Sequence, residues 1–246
     1  MLLGQIVDAL KNPSGFNFLS LLINLLTILS AVVISLTFHE FAHAFTAVKL
    51  GDHTPAITGR LSLNPIDHLD VMGFLCMLLT GFGWAKPVKI NPRNFKKRNR
   101  DTAITAAAGP LSNLLMSFVC VFILVLLDKF DLCLIYSNGV SFSGINFGYA
   151  LLMIVDTIIL HLAYLGIYLA VFNLIPIPPL DGSRLVSALL PGKAAYYYNR
   201  YGTYFQIGLF AVLMLIVYFH LFNPIKWVAD EVYSLFVSLW YAILGA

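Results

Sequence analysis

The chain has 246 residues, 59% of them hydrophobic and only 11% charged, with a formal net charge of +3. A soluble domain carries about 25% charged residues, so a water-soluble globular protein is excluded and a chain that crosses the bilayer several times is expected. Cys76, Cys120 and Cys133 form no C-x-x-C pair, which excludes a disulfide framework.

Leu2–Leu10 is mildly amphipathic and suits the membrane interface. From Phe16 to about Leu50 the chain is apolar for long enough to span the bilayer, until Gly51-Asp52 breaks it. Near the end of this run stands His39-Glu40-Phe41-Ala42-His43, the pattern H-E-x-x-H. Residues four apart share one helix face, so both imidazoles can reach one Zn²⁺. Glu40 lies off that face, placed to take a proton from a water beside the metal. A carboxylate in an apolar run is costly unless it has a partner or a task. The chain has only two glutamates, Glu40 and Glu231. The alternative is a satisfied pair of core histidines.

Ile57–Leu63 alternates apolar and polar, with Ile57, Leu61 and Leu63 on one side and Arg60 and Ser62 on the other, and predicts a short strand. Asp70–Trp84 is apolar, short and interrupted by Gly73, Gly81 and Gly83, as suits a re-entrant segment. Pro87–Ile90 is a candidate second strand. Seven of the 15 Lys and Arg residues then fall between Lys86 and Arg100. Such a cluster can bind nucleic acid, but beside membrane spans it reads as a cytosolic loop, and no nucleic-acid partner is expected.

Thr102–Leu127 is the second predicted span, Asp128–Phe147 a polar connector, and Tyr149 to about Ile175 the third span, stopped by Pro176, Pro178 and Pro179. Tyr204–Phe222 is a predicted fourth span, and Trp227–Leu244 a fifth or an interfacial helix. With no repeat or linker, residues 1–246 read as a single domain. The fold class expected is an all-α polytopic membrane protein with about 4–6 transmembrane helices and a short re-entrant or β segment.

Two histidines leave a catalytic zinc one protein ligand short. Asp52 and His53 lie just past the first span. Asp181, after the proline-broken end of the third span, is the stronger candidate, although a solvated Asp in a helix-stop loop is its plain alternative. Placing the Lys86–Arg100 loop in the cytosol brings Asp181 near that face, and the loop carrying Arg184, Lys193 and Arg200 is again positive. For His39 and His43 to meet Asp181, the first span must also end there, with Ile57–Trp84 entering and leaving on that side.

H-E-F-A-H, G-W-A-K-P-V-K-I-N-P-R-N-F, A-A-G-P-L-S-N and N-L-I-P-I-P-P-L-D-G, in this order between Thr37 and Arg184, closely resemble the site-2 protease family of intramembrane zinc metalloproteases. The resemblance is to the compact prokaryotic branch without PDZ or CBS domains. It implies one Zn²⁺ per chain held by His39, His43 and Asp181, with Glu40 as general base and acid. It also implies that Asn173 orients or stabilises the substrate carbonyl, and that the spans carrying His39, Asn113 and Asp181 form a three-helix catalytic core. One departure is visible: relatives often have L-D-G-G-R where this chain has L-D-G-S-R, with Ser183.

The expected activity is hydrolysis of peptide bonds in or near transmembrane segments of membrane-protein substrates. The setting implied is the inner membrane of a prokaryotic cell, with the active site near the cytosolic side and the lipid bilayer as a partner. The edge of the Ile57, Leu61, Ser62, Leu63 strand is expected to capture unwound substrate by strand addition. An intramembrane metal-ion or proton transporter and a catalytically inactive helix-binding scaffold are the alternatives.

Overall fold

The structure, a computed structural model, describes residues 18–80, 85–132, 147–219 and 221–245. Within them run the helices α1 (Phe18–Lys49), α2 (Thr54–Ile57), α3 (Pro65–His68), α4 (Val71–Thr80), α5 (Arg98–Lys129), α6 (Phe147–Asn173), α7 (Asp181–Leu189), α8 (Gly192–Arg200), α9 (Gly202–Tyr218) and α10 (Pro224–Leu244). A 3₁₀ turn covers Pro92–Asn94. The described residues contain no strand, and the all-α expectation is met. The amphipathic reading of Leu2–Leu10 and most of the Asp128–Phe147 connector lie outside the described residues.

Four helices, α1, α5, α6 and α10, are long and apolar enough to cross a membrane. In lipid every backbone group must be paired internally, which a helix does by itself. Three hydroxyls of α1 follow the same rule: Thr27 donates to the Asn24 carbonyl, Ser30 to Leu26 and Thr37 to Val33, whereas the buried Ser35 hydroxyl has no partner among the described residues. Lipid tails provide no hydrophobic drive between helices, so association depends on close packing. Gly166 of α6 illustrates it, since a Cβ there would stand 2.3 Å from Ser117 Oγ and 3.0 Å from the Asn113 carbonyl oxygen of α5. Cys120, Val121, Leu124 and Val125 of α5 pack with Ala163 of α6 into a buried cluster, which Tyr233, Phe236 and Trp240 of α10 flank.

The orientation of α10 corrects one expectation. Its C-terminal end meets the C-terminal end of α5, where Tyr241 donates to the Asp128 carboxylate and Lys129 to the Leu244 carbonyl. Trp240 Nε1 donates to the Phe118 carbonyl, and farther back Tyr164 donates to Asp230. α10 therefore runs parallel to α5 and begins near the end at which α5 begins. α7 and α8 sit at that same end, where Arg98 and Asn99 share a cavity with Ser187 and Asn199. Since α9 leaves from and returns to this one end, the predicted span Tyr204–Phe222 does not carry the chain across. Its helix has 17 residues, and the last crossing belongs to the Trp227–Leu244 region.

Residues 50–97 form an excursion between α1 and α5, and here the strand expectation fails. Ile57 ends α2, while Leu61, Ser62 and Leu63 lie in irregular backbone. Pro55 and Pro65 each stand in the first turn of a short helix, a position that suits a residue without an N–H. These two helix starts flank the alternating run, and Gly59 turns the chain between them at φ +70°. Among the described residues no strand pairs with it, and Ile57 is 84% exposed, so the alternation has no buried face. Pro87–Ile90 is likewise no strand. Instead Leu69 and Ala85 form an isolated antiparallel bridge, and Lys86 N–H donates to the His68 carbonyl at 2.8 Å. The segment carrying α4 thus leaves and returns at one place, as the re-entrant reading expects.

Candidate metal centre

His39 and His43 project from the last third of α1 onto α5, and both are buried. His39 Nε2 and His43 Nε2 are 3.1 Å apart, and Asp181 Oδ2 lies 3.0 Å from the first and 3.1 Å from the second. These three groups could hold one metal ion. Zinc takes imidazole and carboxylate ligands tetrahedrally at about 2.0–2.2 Å, which puts neighbouring donors roughly 3.3 Å apart. Two nitrogens and one oxygen at the observed spacings fit that group.

The surroundings are cut to the same shape. A Cβ on Gly109 of α5 would stand 2.4 Å from His43 Nε2 and 2.7 Å from His39 Nε2, so only glycine leaves the rings their place. One turn earlier, the Thr105 carbonyl lies 2.7 Å from His43 Nδ1. A carbonyl only accepts, so Nδ1 carries the proton and Nε2 keeps its lone pair for a metal.

Asp181 reaches the histidines because α6 stops at Asn173 and the proline run turns the chain back towards α1. Asp181 opens α7, where a carboxylate suits the positive end of the helix. The next residue must be glycine, since a Cβ on Gly182 would stand 2.3 Å from the Leu174 carbonyl oxygen. Ser183 is no obstacle to the turn: its buried hydroxyl donates to the Leu180 carbonyl at 2.7 Å. The departure from L-D-G-G-R is thereby accommodated.

Glu40 stands outside the triangle, partly buried, and its Oε2 accepts the Val88 N–H at 2.9 Å. The run that brings Val88 there is fastened by Asp52. This carboxylate, with 0% exposure, accepts from the Thr54 hydroxyl and N–H, the Asn91 N–H and the Asn94 amide. Burial alone would raise its pKa, but the donors from Thr54, Asn91 and Asn94 outweigh that and hold it below the ordinary carboxylate value. Asp52 is thus a clasp, not a metal ligand, and His53 is exposed. Asn173 donates its amide to the Leu169 carbonyl of its own helix at 2.9 Å.

Behind His43 a cavity of about 250 Å³ is lined by Ile90, Pro92, Thr102, Thr105, Ala106 and Arg184. A second, of about 200 Å³, shares Pro92, Thr102 and Arg184 with it. The two cavities thus lie side by side between the end of the bundle and the residues that back His43. Sequence reasoning assigned no role to Thr105, Gly109, Asn113 or Val88. The first three occur in or beside A-A-G-P-L-S-N, where Thr105, Gly109 and Asn113 recur every four residues on one helix face. For Val88 no local signal exists.

The model of peptidase family M50 matches residues 27–216. Three similar relatives share the name "Putative zinc metalloprotease". YwhC of Bacillus subtilis is 39% identical over 162 residues, covering 65% of this chain and 67% of its own length. Rip2 of Mycolicibacterium smegmatis is 32% identical over 161 residues, covering 63% of this chain and 54% of its own. Rip2 of Mycobacterium tuberculosis, strain Erdman, is 28% identical over 217 residues, covering 82% and 73%. This chain thus spans between about half and three quarters of the length of these relatives. No solved structure matches it significantly. The four apolar helices make it an integral membrane protein, and with the match over 27–216 the chain belongs to peptidase family M50, the site-2 protease family of zinc metalloproteases.

Proposed function

We propose that the protein is an intramembrane protease that cuts peptide bonds in or beside the transmembrane segments of other membrane proteins. His39, His43 and Asp181 would hold the zinc, and Glu40 would act as general base and acid. The observation that carries this reading is the triangle of donors at 3.0–3.1 Å with the Glu40 carboxylate standing apart from it. Zinc bound there supplies a Lewis acid that makes water a nucleophile near neutral pH and polarises the peptide carbonyl. Glu40 takes the proton of the attacking water and delivers it to the leaving amide nitrogen. The Val88 N–H fixes the carboxylate while it waits. Asn173, released from Leu169, is proposed to orient the substrate carbonyl.

A transmembrane helix hides its amides in its own hydrogen bonds, so it must unwind to be cut. The run from Lys86 to Ile90 suits an unwound guest. Among the described residues, the Lys89 and Ile90 N–H groups make no hydrogen bond, and this run passes directly beside Glu40. We place substrate here and not on Ile57–Leu63. The clustered Lys and Arg residues support a site at the cytosolic face of a prokaryotic inner membrane.

The test compares membrane peptides by mass spectrometry in cells carrying the native protein and Glu40→Gln. Fragments cut within predicted transmembrane segments should disappear in the variant. Unchanged fragments, despite zinc bound to the purified native protein, would rule the protease reading out. Sidedness is tested with single cysteines at Asn94, Lys193 and Asn138, in a background without the native three. An impermeant reagent on intact cells should label only Asn138.

A further inference from the structure

His43 has its proton placed by the Thr105 carbonyl, and the same question arises for His39. Its Nε2 faces Asp181 and His43, and its other nitrogen, Nδ1, lies 3.2 Å from the Asn113 side-chain amide. A metal on Nε2 needs the lone pair there, so the ring proton must sit on Nδ1 and needs an acceptor. An amide nitrogen of Asn113 facing Nδ1 selects the opposite tautomer. The amide oxygen then lies fully buried with no donor among the described residues, on a side chain of 0% exposure. The two ends of an amide have the same shape, and the hydrogen-bond network decides between them. With the amide turned over, the oxygen meets Nδ1–H at the same separation, and the ring takes the tautomer that leaves Nε2 free for a metal.

We infer that Asn113 is a positioning residue: its side-chain oxygen accepts the Nδ1–H of His39 and so commits Nε2 of that ring to the metal. This rests on the zinc reading proposed above. A packing role alone would not call for an amide. The position is buried against α1 and α6, where Leu would fill comparable space. Gly109, one turn earlier on the same face, clears room for the rings that Thr105 and Asn113 hold.

The experiment measures the zinc dissociation constant of the full-length protein by chelator competition and records the absorption spectrum of its Co²⁺ form. It uses native protein, Asn113→Asp, Asn113→Leu and Asn113→Ala. An ionised Asp can accept but not donate, so it separates the two amide orientations. The Asp variant should bind zinc within about threefold of native or more tightly and keep the native Co²⁺ spectrum. The Leu and Ala variants should bind about 10–100-fold more weakly, as for other partners that orient a ligand, and Ala carries the test if Leu does not fold. Equal affinity in Ala or Leu, or weakening of Asp to match them, overturns the inference while the zinc reading stands. Failure of the native chain to bind zinc removes the zinc reading itself, and this role with it.

Discussion

At the metal centre His39, His43 and Asp181 are buried, and the donors from α1 and α7 sit 3.0–3.1 Å apart inside the bundle. Shortly beyond His43, the excursion at 50–97 leaves Ile57 and Ile66 84% and 76% exposed. Yet it provides the N–H that holds Glu40 and the clasp that fixes that N–H. The ligands thus depend on helix packing, whereas the proposed base depends on a loop pinned at a few points. Damage to the first region should remove the metal. Damage to the second should leave the metal in place and slow the chemistry.

The comparison breaks most sharply at the ligands. His39→Ala, His43→Ala and Asp181→Ala should each abolish stoichiometric zinc in purified protein, while Asp52→Ala and His53→Ala keep it. Full zinc in Asp181→Ala would move the third ligand elsewhere. Glu40→Gln comes next. It should hold zinc normally and lose about 10²–10⁴-fold in cleavage rate, the usual contribution of general acid–base work. Near-native cleavage by that zinc-loaded variant would take the proton-transfer role from Glu40.

The excursion can be probed more gently. Val88→Pro deletes the donor to Glu40 and should slow cleavage roughly tenfold, about the worth of one hydrogen bond to a charged group, with zinc unchanged. Val88→Ala and Ser62→Pro should be mild, the first because it keeps the N–H and the second because Ser62 is in no strand. A crippled Ser62→Pro beside an active Val88→Pro would return substrate capture to Ile57–Leu63.

The smallest effect concerns Asp52. Its pKa is lowered in the folded protein, so its stabilisation is present above the unfolded value of about 3.9 and is lost as pH falls through the folded value. Asp52→Asn should therefore melt below native at pH 7, and the gap should close in acid. A gap that persists unchanged below pH 3 would mean that the carboxylate is not held ionised.

How legible each region was in the sequence follows from the same contrast. Helical spacing alone brings His39 and His43 together, and the charge bias of the loops brings Asp181 to their end of the bundle. The spans of α1, α5 and α6 announce themselves by long apolar runs. In the excursion, alternation over seven residues looked like a strand, but a strand needs a partner, and Pro55, Gly59 and Pro65 deny it one. α9 was apolar enough to suggest a crossing, and only the contacts of α10 with Asp128 and Phe118 reveal that it turns back. The reach of Val88 to Glu40 spans 48 residues of separation, and no local pattern encodes that.

The Asp52 clasp changes the entropy of everything between its ends. By joining Asn91 to the end of α1 across 39 residues, it closes the excursion into a loop whose closure cost depends only weakly on length. Doubling such a loop costs about 0.6 kcal/mol. Chain inserted between Leu69 and Ala85, which the antiparallel bridge holds together, would leave the Asn91 and Val88 contacts in register. That stretch is thus free to vary in length while the proposed base keeps its N–H partner, as a tool head is exchanged on a fixed handle.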